Sequence, residues 1–368
     1  MFVYIFLYSL LLLSIVLFDR KERSKSEKKV VLIFFVLIFT LFRGLRWETG
    51  TDWQQFLEVF QYADWNNIFT FSRYETSDEV LEFGYVFLNV LIKSLGFDYT
   101  GFLLITNFLI LVSYYKIVVR FSAKPILVFA MILFTSAFFP VRQVFAAAFI
   151  IYSYRFLIAR KLLPFIITVL IATTFHKSSY LFFPFYYLLN IRIKSNIAYI
   201  LFFSVVVLGT RSIQMAIMGG VVDILTKIGI GYSFTHRIQV YMNFGGNLEN
   251  YSLGLASILL SLFILYLFTE IRKTYKGSLN INVFYNSYLF YFMISEFFRN
   301  SMTQFARVST FFILGFPFFA EFLFSNNFIK KDTRLLAYCV FGLYLYYKLI
   351  NTLNNFYPSL HVPYESVL

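Results

Sequence analysis

"KVVLIFFVLIFTLFRGLRWETGTDWQQF", residues 29–56, decides the class of the fold. Its apolar run from Val30 to Phe42 carries no charge, then breaks abruptly into Arg43, Arg46, Glu48 and Asp52. Trp47 and Trp53 sit in the same stretch and Trp65 follows, which accounts for all 3 tryptophans. An uncharged run of this kind between basic flanks reads as a membrane helix. A few lysines suffice to end such a helix. A knot of opposite charges and indoles asks for a further reason.

The whole chain repeats the pattern. Its 368 residues are 59% hydrophobic, 22% aromatic and 14% charged. Soluble domains carry about 25% charged residues, so the composition points to an integral membrane protein. Leu/Ile/Phe/Val runs recur from end to end without the alternation of a β-barrel. The reading is therefore an all-α polytopic membrane protein with a single transmembrane domain over 1–368. Cys339 is the lone cysteine and the histidines are His176, His236 and His361, so neither a disulfide framework nor a metal site is expected. A net charge of +13 invites a nucleic-acid partner. The basic residues fall in short loops between apolar runs, however, where they encode topology, and no nucleic acid is expected. Phe2–Phe18 lacks a basic leader and a small-residue cleavage site and reads as a retained helix.

Candidate helices run over about 2–18, 30–45, 80–95, 101–119, 125–139, 143–159, 163–176, 179–191, 196–211, 252–270, 283–298, 306–325 and 335–352. Lys and Arg cluster in 19–29, 116–124, 155–161, 192–194, 272–276 and 330–334, which the positive-inside rule assigns to the cytoplasm. The long segments 43–79 and 212–250 then become outside loops. Parity requires one apolar segment not to cross. The segment 80–95, short and holding Glu82, Asn89 and Lys93, is expected to be re-entrant or interfacial. About 12 transmembrane helices remain, with both termini outside. No internal repeat or inverted symmetry suggests a transporter.

Three polar clusters converge on the outer face: Arg46 with Asp52; Arg142 and Gln143 in "FFPVRQVFAAAF"; His176 and Lys177 in "TTFHKSSYLFFP". Glu296, Arg299 and Arg307 flank a later hairpin. Ionisable groups at membrane depth are costly and mark function by default. Structural readings stand beside them. The tryptophans can form an interface belt or stack on sugars. Arg43 and Lys177 are read as snorkelling to headgroups. Asp52 can cap the helix of "WQQFLEVF". His236 and His361 are read as surface residues. Arg142 is harder to set aside, because a guanidinium between two apolar helices needs an anion and its fork matches phosphate oxygens. The clusters together describe a site for an anionic, lipid-linked substrate at the membrane–water interface.

These residues resemble a family. "LRWETGTDWQQF" looks like the R-Y-G-x-G-T-D-Y-x-x-Y signature of the EpsG-type, Wzy-like polysaccharide polymerases. "EFGYVFLN" is similar to its E-P-G-F-x-x-L-N, "FPVRQVFAAAF" to I-R-Q-x-L-A, and "FHKSS" to F-H-x-S-A, while Arg307 in "ARVSTFF" and the late Pro363-Tyr364 also fit. Trp47 and Glu48 replace the aromatic–glycine pair, Trp53 and Phe56 replace tyrosines, and Phe83 stands where proline is usual. The resemblance implies a C-type glycosyltransferase facing the periplasm of the bacterial inner membrane. Such an enzyme joins undecaprenyl-pyrophosphate-linked repeat units into O-antigen or capsular polysaccharide, without a cofactor and with a chain-length regulator as a further partner. Carried over, Arg142 and Arg307 hold the pyrophosphate, Asp52 or His176 takes the acceptor proton, and Arg46 orients Asp52. Gln143, Glu82, Trp53 and Arg299 complete the substrate contacts. An O-antigen ligase is the nearest rival, and a flippase the rival from another class. A ligase would carry its decisive residues in a large late loop, and a flippase would show two related halves.

Overall fold

The computed structural model describes residues 1–50, 53–72, 80–136, 138–139, 142–228, 239, 255–275, 279–298, 303–325, 334–355 and 361–367. Among these the chain is helical, and its β contacts are isolated bridges, Arg46 with Ser366 and Ser72 with Val80. Contacts group it into two compact units, Met1–Tyr186 with Phe316–Leu368, and Tyr187–Gly315.

The first unit contains α1 (Phe2–Ser14, continued by a π-helical turn, Ile15–Arg20), α2 (Lys25–Gly44), α3 (Trp53–Tyr62), α4 (Phe83–Ser94), α5 (Tyr99–Phe121), α6 (Pro125–Thr135), α7 (Arg142–Ile158) and α8 (Leu162–Phe175). Local sequence sets their starts. Ser24 and Glu27 form a reciprocal capping box for α2, Asp98 accepts from the Gly101 N–H to open α5, and Pro125 occupies the first turn of α6. Every residue of α6 from Pro125 to Phe134 is buried, as expected of a helix apolar all round. It forms the centre, against Tyr8 and Leu11 of α1 and Phe35 and Phe39 of α2, all buried.

The basic-cluster end of this unit is stapled by buried charge. Asp19 lies 3.3 Å from the Lys28 Nζ and accepts the Leu127 N–H at 2.7 Å. Glu321 accepts the Ala123 N–H at 2.7 Å. These bonds use the free N–H groups at the start of α6 to hold it against its neighbours.

The second unit holds α10 (Ser195–Leu208), α11 (Arg211–Lys227), α12 (Leu255–Thr274), α13 (Leu279–Phe298), α14 (Thr303–Ala306) and a 3₁₀ turn, Arg307–Phe312. Phe202 of α10 stacks on Phe292 of α13 with centroids 4.1 Å apart. The chain then returns to the first unit in α15 (Gly315–Ser325) and α16 (Arg334–Asn355), while α9 (Phe185–Leu188) is a single turn between α8 and α10.

Several expectations change. The segment 179–191 is not a long helix, because a 3₁₀ turn over Lys177–Phe182 and the short α9 replace it. The segments 43–79 and 212–250 are not plain loops, since they contain α3 and α11. By length and hydropathy, 3 described helices suit a crossing (Phe2–Arg20, Tyr99–Phe121 and Arg307–Ser325), or 4 if the bent pair α10–α11 counts as one. That count covers the described residues alone and does not establish the expected figure of about 12. At 12 residues, α4 is shorter than a perpendicular span, as are α6 at 11 and α8 at 14.

Candidate active site

The site grows out of the α2 end. Past Gly44 the backbone turns, and Glu48 and Gly50 adopt φ values of +42° and +109°. Glu48 thus occupies a left-handed position that favours glycine, the residue the resembled signature carries there. The turn aims Arg46 inward. Its side chain is 2% exposed, its Cζ lies 4.8 Å from the Phe139 ring centroid, and its Nε and Nη1 have no hydrogen-bond partner. Burial pushes its pKa down to about 10, which still leaves it charged at neutral pH.

Across from it, α7 begins with Arg142. Its Nη1 donates to Glu82 Oε2 at 2.5 Å, with side-chain exposures of 16% and 10%, and its Nε is buried without a partner. Glu82 stands at the N-cap of α4, and its Oε1 accepts the Lys177 backbone N–H at 3.1 Å. That second bond ties the carboxylate to the segment beside His176. Next to it, the His176 Nδ1 meets the Ser178 Oγ at 2.8 Å. Gly84 permits this close approach of α4 and α8, because a Cβ there would lie 2.3 Å from the Thr174 Oγ1 and 2.8 Å from its carbonyl oxygen.

Arg46 and Arg142 line one narrow cleft, with Tyr85, Tyr99, Phe102, Thr106 and Phe145 among its other walls and a cavity of ≈ 20 Å³ between them. Two guanidiniums against one carboxylate leave an uncompensated positive charge beside phenol hydroxyls at a desolvated wall, an arrangement able to pair with an anion. Among the described residues no group of His, Cys, Asp and Glu could hold a metal ion.

The predicted residues fall out unevenly. Arg46, Glu82, Arg142 and the segment of His176 are brought together. Gln143 is half-buried in the first turn of α7. Trp53 is 3% exposed, packed edge-on against Trp47 (4.8 Å) and Tyr99 (5.6 Å), which leaves Trp47 and Trp65 as the open indoles. Arg307 is exposed and belongs to the second unit. Asp52 and Arg299 lie outside the described residues.

Two expectations are corrected here. Arg43 does not snorkel: it is 0% exposed, one Nη2–H donates to the Ser136 Oγ at 3.3 Å, and its Nε and Nη1 are unpartnered. A residue one turn before Arg46 on a helix that faces α5 and α6 points into the protein, whatever its length would permit. His361 is not a surface residue either. The tail 361–367 straps onto residues 42–49: the Tyr364 hydroxyl donates to the Phe42 carbonyl at 2.7 Å, the Trp47 N–H to Glu365 O at 3.0 Å, and the Val367 N–H to Leu45 O at 3.0 Å. The strap lays the His361 ring against Phe138 and Phe139, with its Nδ1 buried and unpartnered. Burial, then the Arg46 charge, pulls its pKa below the usual imidazole value. The "PY" at 363–364 was the sequence signal for this strap. Nothing nearby in the sequence marked Tyr99 as a wall.

A family model described as the EpsG family matches residues 29–366. The chain belongs to the EpsG family. The matched span starts within α2 and runs into the strap, so the turn, the cleft and the tail all lie inside it. Membership makes this membrane protein a glycosyltransferase-like polymerase of polysaccharide synthesis. Among curated proteins and solved structures, nothing matches it.

Proposed function

We propose that this EpsG-family protein polymerises lipid-linked repeat units, transferring the growing glycan from undecaprenyl pyrophosphate to the acceptor sugar of the next unit. The reaction faces the periplasmic side of the inner membrane, and its product is O-antigen or a capsular polysaccharide. The acceptor hydroxyl attacks the anomeric carbon of the donor sugar. The bond from that carbon to the pyrophosphate oxygen breaks, and the carrier leaves as its pyrophosphate. Arg46 and Arg142 neutralise that leaving group through their unpartnered N–H groups, stabilising charge as it develops. Glu82 aims Arg142. Asp52 or His176 receives the hydroxyl proton, and Trp47 offers an open ring to a sugar. The bilayer delivers both substrates in its plane, and a chain-length regulator is a fitting partner.

The observation that supports this reading is the convergence of Arg46 and the Arg142–Glu82 pair on one desolvated cleft. The test is the polysaccharide gel profile of a deletion strain, complemented with wild type or with Arg142→Lys. Loss of a polymerase leaves cores capped by a single repeat, and Arg142→Lys should fail to restore the ladder because lysine lacks the planar fork. Bare core in the deletion strain would point to a flippase or a ligase and would sink the assignment.

A further inference from the structure

The helix α11 belongs to the second unit and has no part in the chemistry above. The sequence reading put it in an outside aqueous loop. Instead, the chain leaves α10 and turns by 89° at Gly209–Thr210 into 17 residues of helix. α10 is apolar and exposes Ile197, Ile200, Phe203 and Val207 along one face, the pattern of a lipid-facing helix.

Around α11 the residues sort into three sectors. Ile213, Ile217, Ile224 and Ile228 are 38%, 37%, 59% and 66% exposed. At about 100° per residue they fall within an arc of about 60°. The next sector holds Gln214 and Val222, both buried, with Met218 and Leu225 beside them, and Phe298 and Phe305 pack against Val222. The third holds Ser212, Asp223, Thr226 and Lys227, all exposed. One side therefore meets the protein, one is apolar and open, and one is polar and open. A helix crossing the hydrocarbon has no use for a polar sector, and a helix in water has none for an isoleucine stripe.

We propose that α11 lies flat in the membrane–water interface, its isoleucine stripe sunk at the acyl–headgroup boundary. Its partner is the lipid surface, reached by continuity with the lipid-facing α10. The exposed Arg211 and Lys227 at its two ends complement anionic headgroups. Laid in that plane, α11 covers about 25 Å of bilayer surface at 1.5 Å per residue.

Depth measurement tests this directly. Single cysteines at Ile213, Ile217, Ile224 and Ile228, with Thr226 and Ile200 as references, are introduced with Cys339→Ser. They carry an environment-sensitive fluorophore in vesicles of phosphatidylglycerol and phosphatidylcholine containing nitroxide-bearing lipids. The four stripe positions should be quenched alike and best by a shallow nitroxide, Ile200 best by a deep one, and Thr226 weakly by either. Depth rising steadily from Ile213 to Ile228 would mean a re-entrant or crossing helix. Stripe positions unquenched by either nitroxide would mean an aqueous or protein-covered face. Either result overturns the proposal.

Discussion

Replacing Glu82 by glutamine removes one charge and almost no volume. The carboxylate now serves two donors at once, the Arg142 guanidinium at 2.5 Å and the Lys177 N–H at 3.1 Å. A glutamine has one carbonyl oxygen for the two. Its NH₂ must face a donor, so one bond is lost, and Arg142 loses its counter-charge at a wall where both side chains are largely buried. A hydrogen bond to a charged group contributes about 1.5–3 kcal/mol. If that much of the orientation of Arg142 is lost in the transition state, the transfer rate falls by about 10- to 150-fold, at roughly 1.4 kcal/mol per decade. The assay is polymer formation by the purified protein in proteoliposomes fed with lipid-linked repeat units, run alongside Arg142→Gln and the double variant. Because the two residues act as one unit, the double variant should be no slower than the worse single one. Wild-type rate and chain length from Glu82→Gln would refute the reasoning, as would losses that simply add.

Other outcomes follow from the local geometry. Gly84→Ala should destabilise the protein by about 1–3 kcal/mol through overpacking, read as a lowered thermal midpoint in detergent, because the added carbon meets Thr174 backbone. At the left-handed Glu48, Glu48→Gly should be tolerated while Glu48→Val lowers the same midpoint, the strain being of order 1–2 kcal/mol. The strap should be pH-sensitive. The docked His361 binds a proton less readily than a free imidazole, so docking is strongest above 6.5 and weakens as pH falls below it. The protection factors of the Trp47 and Val367 amides, relative to their intrinsic exchange at each pH, should fall there, and His361→Gln should abolish that fall.

The membrane class of this protein was legible in its composition, and four residues of the candidate site stood out there. Uncharged apolar runs have no stable home but a bilayer or a core, and too few polar residues exist here to cover a core of this size. The same scarcity made Arg46, Glu82, Arg142 and His176 conspicuous, since each interrupts a run where charge is expensive. What a linear pattern lacks is direction and distance. Arg43 reads as a cation snorkelling at a helix end, yet the packing of α2 against α5 and α6 buries it; Arg142 reads as a cation in need of an anion, and only the fold shows that the start of α7 brings it to a carboxylate 60 positions earlier. His361 carries no local signal, because its surroundings are assembled from Phe138, Phe139 and Arg46, far away along the chain. The segment 212–250 reads as a long outside loop from the distribution of Lys and Arg. Only the 89° turn and the burial of one flank sort its residues into sectors for protein, lipid and water. Hydrophobicity is additive along a chain and so legible in it; pairing and facing depend on which helices meet, which tertiary packing alone decides.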